Sequence, residues 1–225
     1  VKVVPITTHI EQGFALPSVS EFEKLINERT KAIVICNPNN PTGTLYTNEE
    51  LMQLRDLVLK HDLYLFADEV YRMFTYGENQ HRSILSLPDL EKHAIVVESV
   101  SKIYSACGAR IGALVTKNKE VVAAAMKFAQ ARLSPPTLEQ VGAMAALDAP
   151  QNYFDEVRAE YISRRDLVVA ALQRIPGVIC PNPGGAFYCV VQLPIDDSDA
   201  FCQWMLESFS YQQQTVMMAP ATGFY

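Results

Sequence analysis

The sequence predicts an α/β protein with a mainly parallel sheet flanked by helices, followed by a smaller α+β unit. Three observations predict it. Short apolar runs recur at Lys31–Cys36, Leu63–Ala67, Ala94–Val97 and Ile111–Val115, in the pattern of buried strands. Amphipathic helical segments alternate with them, which implies βαβ units and a parallel sheet. The pattern then changes after Asp148-Ala-Pro150.

The chain opens on Val1-Lys-Val-Val-Pro5, a strand already in progress with no initiator methionine. Ser18-Val-Ser-Glu21 is a capping box, and Phe22, Leu25 and Ile26 keep the i, i+3, i+4 spacing of an amphipathic helix. Thr47-Asn-Glu-Glu50 is a second capping box, with Leu51, Leu54 and Val58 as the buried stripe behind it. Breaks fall at Leu133–Pro136 and at Pro150. A long helix follows, with Phe154, Val157, Tyr161, Val168 and Leu172 on one side, and Gly177 is expected to end it. Gly184–Leu193 reads as a strand, and Asp196–Ser210 as a helix carrying Phe201, Met205 and Trp204. The expected division is a large unit over 1–150 and a small one over 151–225. Thr215–Tyr225 reads as a strand and loop continuing onward, so the sequence is expected to be an internal piece of a longer polypeptide, with both units incomplete.

At 225 residues the chain can bury a sizeable core. A net charge of −6, with no stripe of lysine and arginine, argues against a nucleic-acid partner. No apolar run approaches the ~20 residues of a membrane span. The five cysteines, at 36, 107, 180, 189 and 202, show no C-x-x-C spacing and read as free thiols. No secretory leader is read either, and the expected location is the cytoplasm.

Three motifs follow predicted strands, where ligands bind in parallel sheets. Asn37-Pro-Asn-Asn-Pro-Thr-Gly43 reads as a plain Pro/Asn/Gly turn, or as a rigid loop aiming one asparagine amide at a ligand. Ala67-Asp-Glu-Val-Tyr71 puts a carboxylate directly after Phe66 and Ala67. Asp68 is either a surface acid or a poorly solvated one that needs a cation, such as a protonated pyridine nitrogen. Ser99-Val-Ser-Lys102 places a lysine on a loop after a strand, with Arg110 eight positions on. That lysine can form an imine with a carbonyl cofactor, while the serines and arginine hold a phosphate. Each motif alone is weak; their joint occurrence in this order decides for the cofactor.

With these residues, and with Pro183-Gly-Gly-Ala-Phe-Tyr188 in the tail, the chain resembles the class I/II aminotransferases, which are fold-type I pyridoxal-phosphate enzymes similar to aspartate aminotransferase. The resemblance runs from Val1 to Tyr225. It implies that pyridoxal 5′-phosphate is the cofactor, and that an amino group moves between an α-amino acid, with aspartate a candidate, and a 2-oxo acid. It implies that Lys102 carries the imine link and then shuttles a proton. That role calls for an amine readily deprotonated by burial and nearby cations. Asp68 then pairs with the pyridine nitrogen, so that the ring acts as an electron sink. Asn40 and Tyr71 hydrogen-bond the ring oxygen, and Ser99, Ser101 and Arg110 hold the phosphate. The complete enzyme is expected to be a homodimer.

The family's upstream glycine-bearing phosphate loop and stacking aromatic, and its downstream carboxylate-binding arginine, fall outside Val1–Tyr225, so this piece alone is expected to be poorly active. A lyase or synthase on the same fold, or the cofactor-binding domain of a transcription regulator, stays open at this stage. His9, His61, His81 and His93 lack metal-site spacing and are expected at the surface or in packing. Cys107 reads as a small packing residue, and Arg132 as a surface arginine or a substrate-carboxylate contact.

Overall fold

The short aliphatic segments pair into one sheet in the order β1 (Ala32–Cys36), β2 (Tyr64–Asp68), β3 (Ala94–Ser99) and β4 (Gly112–Val115). The computed structural model describes residues 1–78 and 80–224; Tyr225, the end of the expected small unit, lies outside them. The helices are α1 (Val19–Leu25), α2 (Asn48–Lys60), α3 (Val100–Ile103), α4 (Lys119–Arg132), α5 (Thr137–Ala146), α6 (Gln151–Leu172) and α7 (Ser198–Glu207). The first three strands are parallel, and their register aligns Cys36 with Asp68 and Asp68 with Val97. The ladder continues one step past the strands. Asn37 N–H donates to the Asp68 carbonyl, and Glu69 N–H to the Val97 carbonyl, both at 3.0 Å. The carboxyl ends of β1, β2 and β3 therefore finish side by side.

One face of the sheet is filled by α1, α2 and the segment 84–90. Leu51, Leu54, Leu57 and Val58 of α2 pack with Leu65, Ala67, Ala94 and Val96. Burying side chains of this size stabilises the fold by about 1.5–3 kcal/mol each. The Thr47 capping box forms as read. Thr47 Oγ1 accepts from Glu50 N–H at 3.1 Å, and Glu50 Oε2 accepts from Thr47 N–H at 2.7 Å. The Ser18 box does not form, because Glu21 is held by Lys24 at 2.5 Å and Ser18 Oγ turns to Ser20 Oγ.

Several expectations need correction. β4 is antiparallel to β3 and exposed throughout, where a further buried strand is expected. No described helix covers that face, and Val34 on β1 is likewise 76% exposed. Helix α6 ends at Leu172, ahead of Gly177, because Pro176 disfavours helical backbone before it. Its buried side runs through Val169, not Val168. Helix α7 is shorter than read and starts on Asp197, whose Oδ1 accepts from Ala200 N–H at 3.0 Å.

Gly184–Leu193 is not a strand. It makes only isolated bridges, Gly185 with Thr75 and Gln192 with Ile179, because its backbone groups are spent on two other segments. Gly184 and Gly185 N–H both donate to the Gly43 carbonyl at 2.9 Å, and Ala186 N–H donates to Phe74 at 2.9 Å. A second core forms there. Tyr71, Phe74 and Tyr76 meet Val157, Tyr161, Phe187 and Tyr188, and Arg158 Nε donates to the Thr75 carbonyl at 2.7 Å. This contact needs glycine twice. A Cβ on Gly43, whose φ is +72°, would lie 2.5 Å from Pro183 Cβ, and one on Gly185 would lie 2.6 Å from Pro38 Cβ and 2.9 Å from the Phe74 carbonyl.

His81 is a packing residue. Its side chain is buried beside Glu69, with Nε2 3.7 Å from Oε2. Burial, aided by Arg72, pushes its pKa down to about 4, and burial also raises that of Glu69.

Two outcomes follow for the complete polypeptide. Gly185→Ala forces the tail off the Asn37–Gly43 loop and lowers stability by about 1–3 kcal/mol, read from the urea midpoint. A histidine with a lowered folded pKa is protonated first in the unfolded chain, so it erodes stability as pH falls from 6.5 towards 4. His81→Gln should flatten that limb of the stability–pH curve; an unchanged slope would refute the assignment.

Candidate active site

The loop after β1 is braced by two of its three asparagines. Asn37 Oδ1 accepts from Tyr46 N–H at 3.0 Å. Asn39 Oδ1 accepts from Thr42 N–H at 3.1 Å and from Thr42 Oγ1 at 2.8 Å. That leaves Asn40 to face outward, and its Nδ2 donates to the Tyr71 hydroxyl at 3.3 Å. The alternatives that the sequence left open are thereby divided among three side chains: two build the turn and one reaches the neighbouring motif.

Tyr71 follows β2 and is 3% exposed. Its ring lies edge-on to Phe187 at 5.2 Å and to Tyr188 at 5.5 Å between centroids. Its hydroxyl is 2.8 Å from that of Tyr188. Burial holds the Tyr71 phenol protonated well above the ordinary tyrosine range. Asp68, at the end of β2, is half-buried and accepts from Val70 N–H at 3.2 Å. Among the described residues no lysine, arginine or histidine forms an ion pair with it.

Lys102 lies on the single-turn helix α3, not on a loop. Ser99 caps that turn, its Oγ accepting from Ser101 N–H at 3.3 Å, as a serine leaving a strand readily does. Glu98 fixes the turn's entry by accepting from Ser99 N–H at 2.8 Å and from Arg72 Nε at 2.6 Å. Lys102 Nζ then stands 5.8 Å from the ring centroids of both Tyr71 and Phe187. Arg110 is exposed, in the left-handed region at φ +54°, with Nη1 donating to the Cys107 carbonyl at 3.1 Å. Such backbone is unfavourable for a non-glycine residue and concentrates at functional sites. The β3–β4 register, with Ser99 opposite Gly112 and Val100 N–H bonded to the Ile111 carbonyl, keeps Arg110 beside the serine turn.

Asn40, Tyr71 and Lys102 are thus brought together directly, while Asp68 and Ser99 end adjacent strands. Two residues went unread as site residues in the sequence, Phe187 and Tyr188. Their signal was an aromatic pair directly after Gly184-Gly185-Ala186. Cys107 does not pack, being exposed on a turn of 3-10 helix. Arg132 is exposed at the end of α4. No metal-ligating cluster occurs among the described residues.

The donor set suits pyridoxal 5′-phosphate. The carboxylate without a protein cation suits a pyridinium nitrogen, the protonated tyrosine suits a phenolate oxygen, and the hydroxyl turn beside an arginine suits a phosphate. A mainly parallel sheet with a lysine just past the end of one strand and a carboxylate ending the adjacent strand is the arrangement of the fold-type I pyridoxal-phosphate proteins. Residues 1–222 match the family described as aminotransferase class I and II, and the chain belongs to it. That family is one of pyridoxal-phosphate enzymes. The chain is 35% identical over 224 residues to an aspartate aminotransferase of Bacillus subtilis, covering 96% of this chain and 56% of that protein. An alanine aminotransferase of Mycobacterium bovis is 35% identical over 221 residues, with 92% and 50% covered. Among solved structures, a single mutant of the Thermus thermophilus aspartate aminotransferase superposes with a TM-score of 0.85 at 32% identity, covering 96% of this chain and 55% of that one. The chain spans about half the length of these relatives.

Asp68→Ala in the complete polypeptide should slow turnover by orders of magnitude while the cofactor stays bound. Turnover near the wild-type rate, with the cofactor's absorbance retained, would show that Asp68 has no such role.

Proposed function

We propose that this chain is the lysine-bearing part of a pyridoxal-phosphate aminotransferase that moves an amino group between an α-amino acid and a 2-oxo acid, with aspartate as donor. The observation that carries the reading is the convergence of Lys102 Nζ on the Tyr71–Asn40 pair at the carboxyl ends of parallel strands. Several of the similar proteins are aspartate aminotransferases, which supports the donor.

When bound, the cofactor supplies an aldehyde for the lysine amine and a ring that accepts the electron pair left at the substrate's Cα. Lys102 Nζ would hold the cofactor and, once freed, would carry a proton between the substrate's Cα and the cofactor's C4′. Asp68 keeps the pyridine nitrogen protonated. Tyr71 donates its hydroxyl proton to the ring oxygen, with Asn40 beside it. Ser99, Ser101 and Arg110 orient the phosphate.

The same reading takes 1–150 as the cofactor-binding unit and 151–225 as part of a smaller one. It places the enzyme in the cytoplasm as a homodimer. Five free cysteines support a reducing compartment. Among the described residues, no helix is long and apolar enough to cross a membrane. Phe128, Leu138 and Met144, exposed along α4 and α5, support burial against another surface.

The test is borohydride reduction of the complete, cofactor-loaded polypeptide followed by peptide mass mapping. A phosphopyridoxyl group on Lys102 is expected; a label on Lys117 or Lys119 overturns the assignment. A donor panel of aspartate, alanine and tyrosine with 2-oxoglutarate should favour aspartate. Release of ammonia without formation of glutamate would mark a lyase instead.

A further inference from the structure

Tyr188 lies outside every role assigned above, yet its hydroxyl makes the closest polar contact with Tyr71. The Tyr71 oxygen has three hydrogen-bonding places, one proton to give and two lone pairs to fill. Asn40 Nδ2 fills one lone pair at 3.3 Å, and an amide N–H₂ can only donate. The remaining proton and lone pair are divided between the Tyr188 hydroxyl, 2.8 Å away, and whatever Tyr71 addresses in the site. If Tyr71 gives its proton to Tyr188, it has none left for a ring oxygen.

We infer that Tyr188 is a positioning residue that donates its hydroxyl proton to Tyr71 and thereby commits the Tyr71 proton to the cofactor's ring oxygen. The inference rests on the pyridoxal-phosphate reading above. Packing holds the two hydroxyls in contact, and the polarity inferred is the one that leaves the Tyr71 proton for the ring oxygen. The Tyr71 ring is held edge-on by Phe187 and Tyr188, and Phe187 is held in turn by Phe74 at 5.1 Å and by a stacked Tyr161 at 5.0 Å. The Tyr188 backbone is held as well, because its carbonyl lies against Gly43 where no Cβ fits. The Tyr71 hydroxyl therefore cannot swing away from Tyr188 without breaking the aromatic cluster. A donor that itself accepts a hydrogen bond is polarised and donates more strongly. Tyr188 thus strengthens the bond from Tyr71 to the ring oxygen and stabilises that oxygen's deprotonated form.

The experiment is a double-mutant cycle read by spectrophotometric pH titration of the bound cofactor in the complete polypeptide. Tyr71→Phe removes the donor to the ring oxygen and should raise the titration midpoint. Tyr188→Phe keeps the ring and should raise it in the same direction by several tenths of a pH unit. Adding Tyr188→Phe to Tyr71→Phe should produce no further shift, because Tyr188 acts only through the Tyr71 hydroxyl. A purely packing role for Tyr188 predicts no shift in the single variant, or the same shift in both backgrounds; either overturns the inference. Should the phenylalanine variant fail to fold, 3,5-difluorotyrosine at position 188 keeps the shape, donates more strongly, and should lower the midpoint; no change or a rise overturns the inference. A complete wild-type polypeptide showing no lysine-linked cofactor absorbance would instead refute the cofactor reading itself.

Discussion

Two backbone hydrogen bonds into one carbonyl hold this site together. Gly184 and Gly185 both donate to the oxygen of Gly43 at 2.9 Å, which seats the tail directly on the loop that leaves β1. At that distance there is no room for side chains, and Pro183 and Pro38 fill the space that Cβ atoms would take. The contact joins segments more than 140 residues apart in sequence, Gly43 and Gly185. Everything aromatic around Tyr71 depends on it, because Phe187 and Tyr188 are delivered by the same tail.

The parallel ladder supplies the other half of the geometry. Cys36, Asp68 and Val97 stand in register, so the loops that follow them start from one line. The ladder bonds at Asn37 and Glu69 carry that order past the strands. Asn37, Asn39 and Ser99 then spend their side chains on local backbone, which stiffens the turns. Asn40, Tyr71 and Lys102 sit on those stiff turns with their polar ends free to converge. Precise placement of reacting groups is worth several orders of magnitude in rate. A site assembled from short, braced turns is suited to provide it.

The open face of the sheet has a consistent physical reading. α2 covers Leu65, Ala67 and Val96, while Val34 and all of β4 stay exposed. Alternation along a strand sends successive side chains to opposite faces, so a strand that reads as apolar on both faces needs cover on both. β1 and β4 keep that doubly apolar sequence although Val34 and every residue of β4 are exposed. Strand composition reports the environment a strand is suited to, while exposure reports what is packed against it.

The sequence alone determined the strands of the sheet, the Thr47 cap, the order of the motifs and the candidate lysine. These are local properties. Apolar runs, capping spacings and strand-end motifs are written in neighbouring residues, and short-range backbone physics fixes them. It could not determine the antiparallel sense of β4, the fate of Gly184–Leu193, or the place of Tyr188. Gly184–Leu193 has strand-forming composition, yet its donors find carbonyls at Gly43 and Phe74 before any strand can pair with it. Which of three asparagines faces the site depended on where Tyr71 lay, and Tyr71 owed its position to a tail 117 residues further on. Only the tertiary structure decided those matters, because a hydrogen bond between distant segments leaves no periodic trace in either of them.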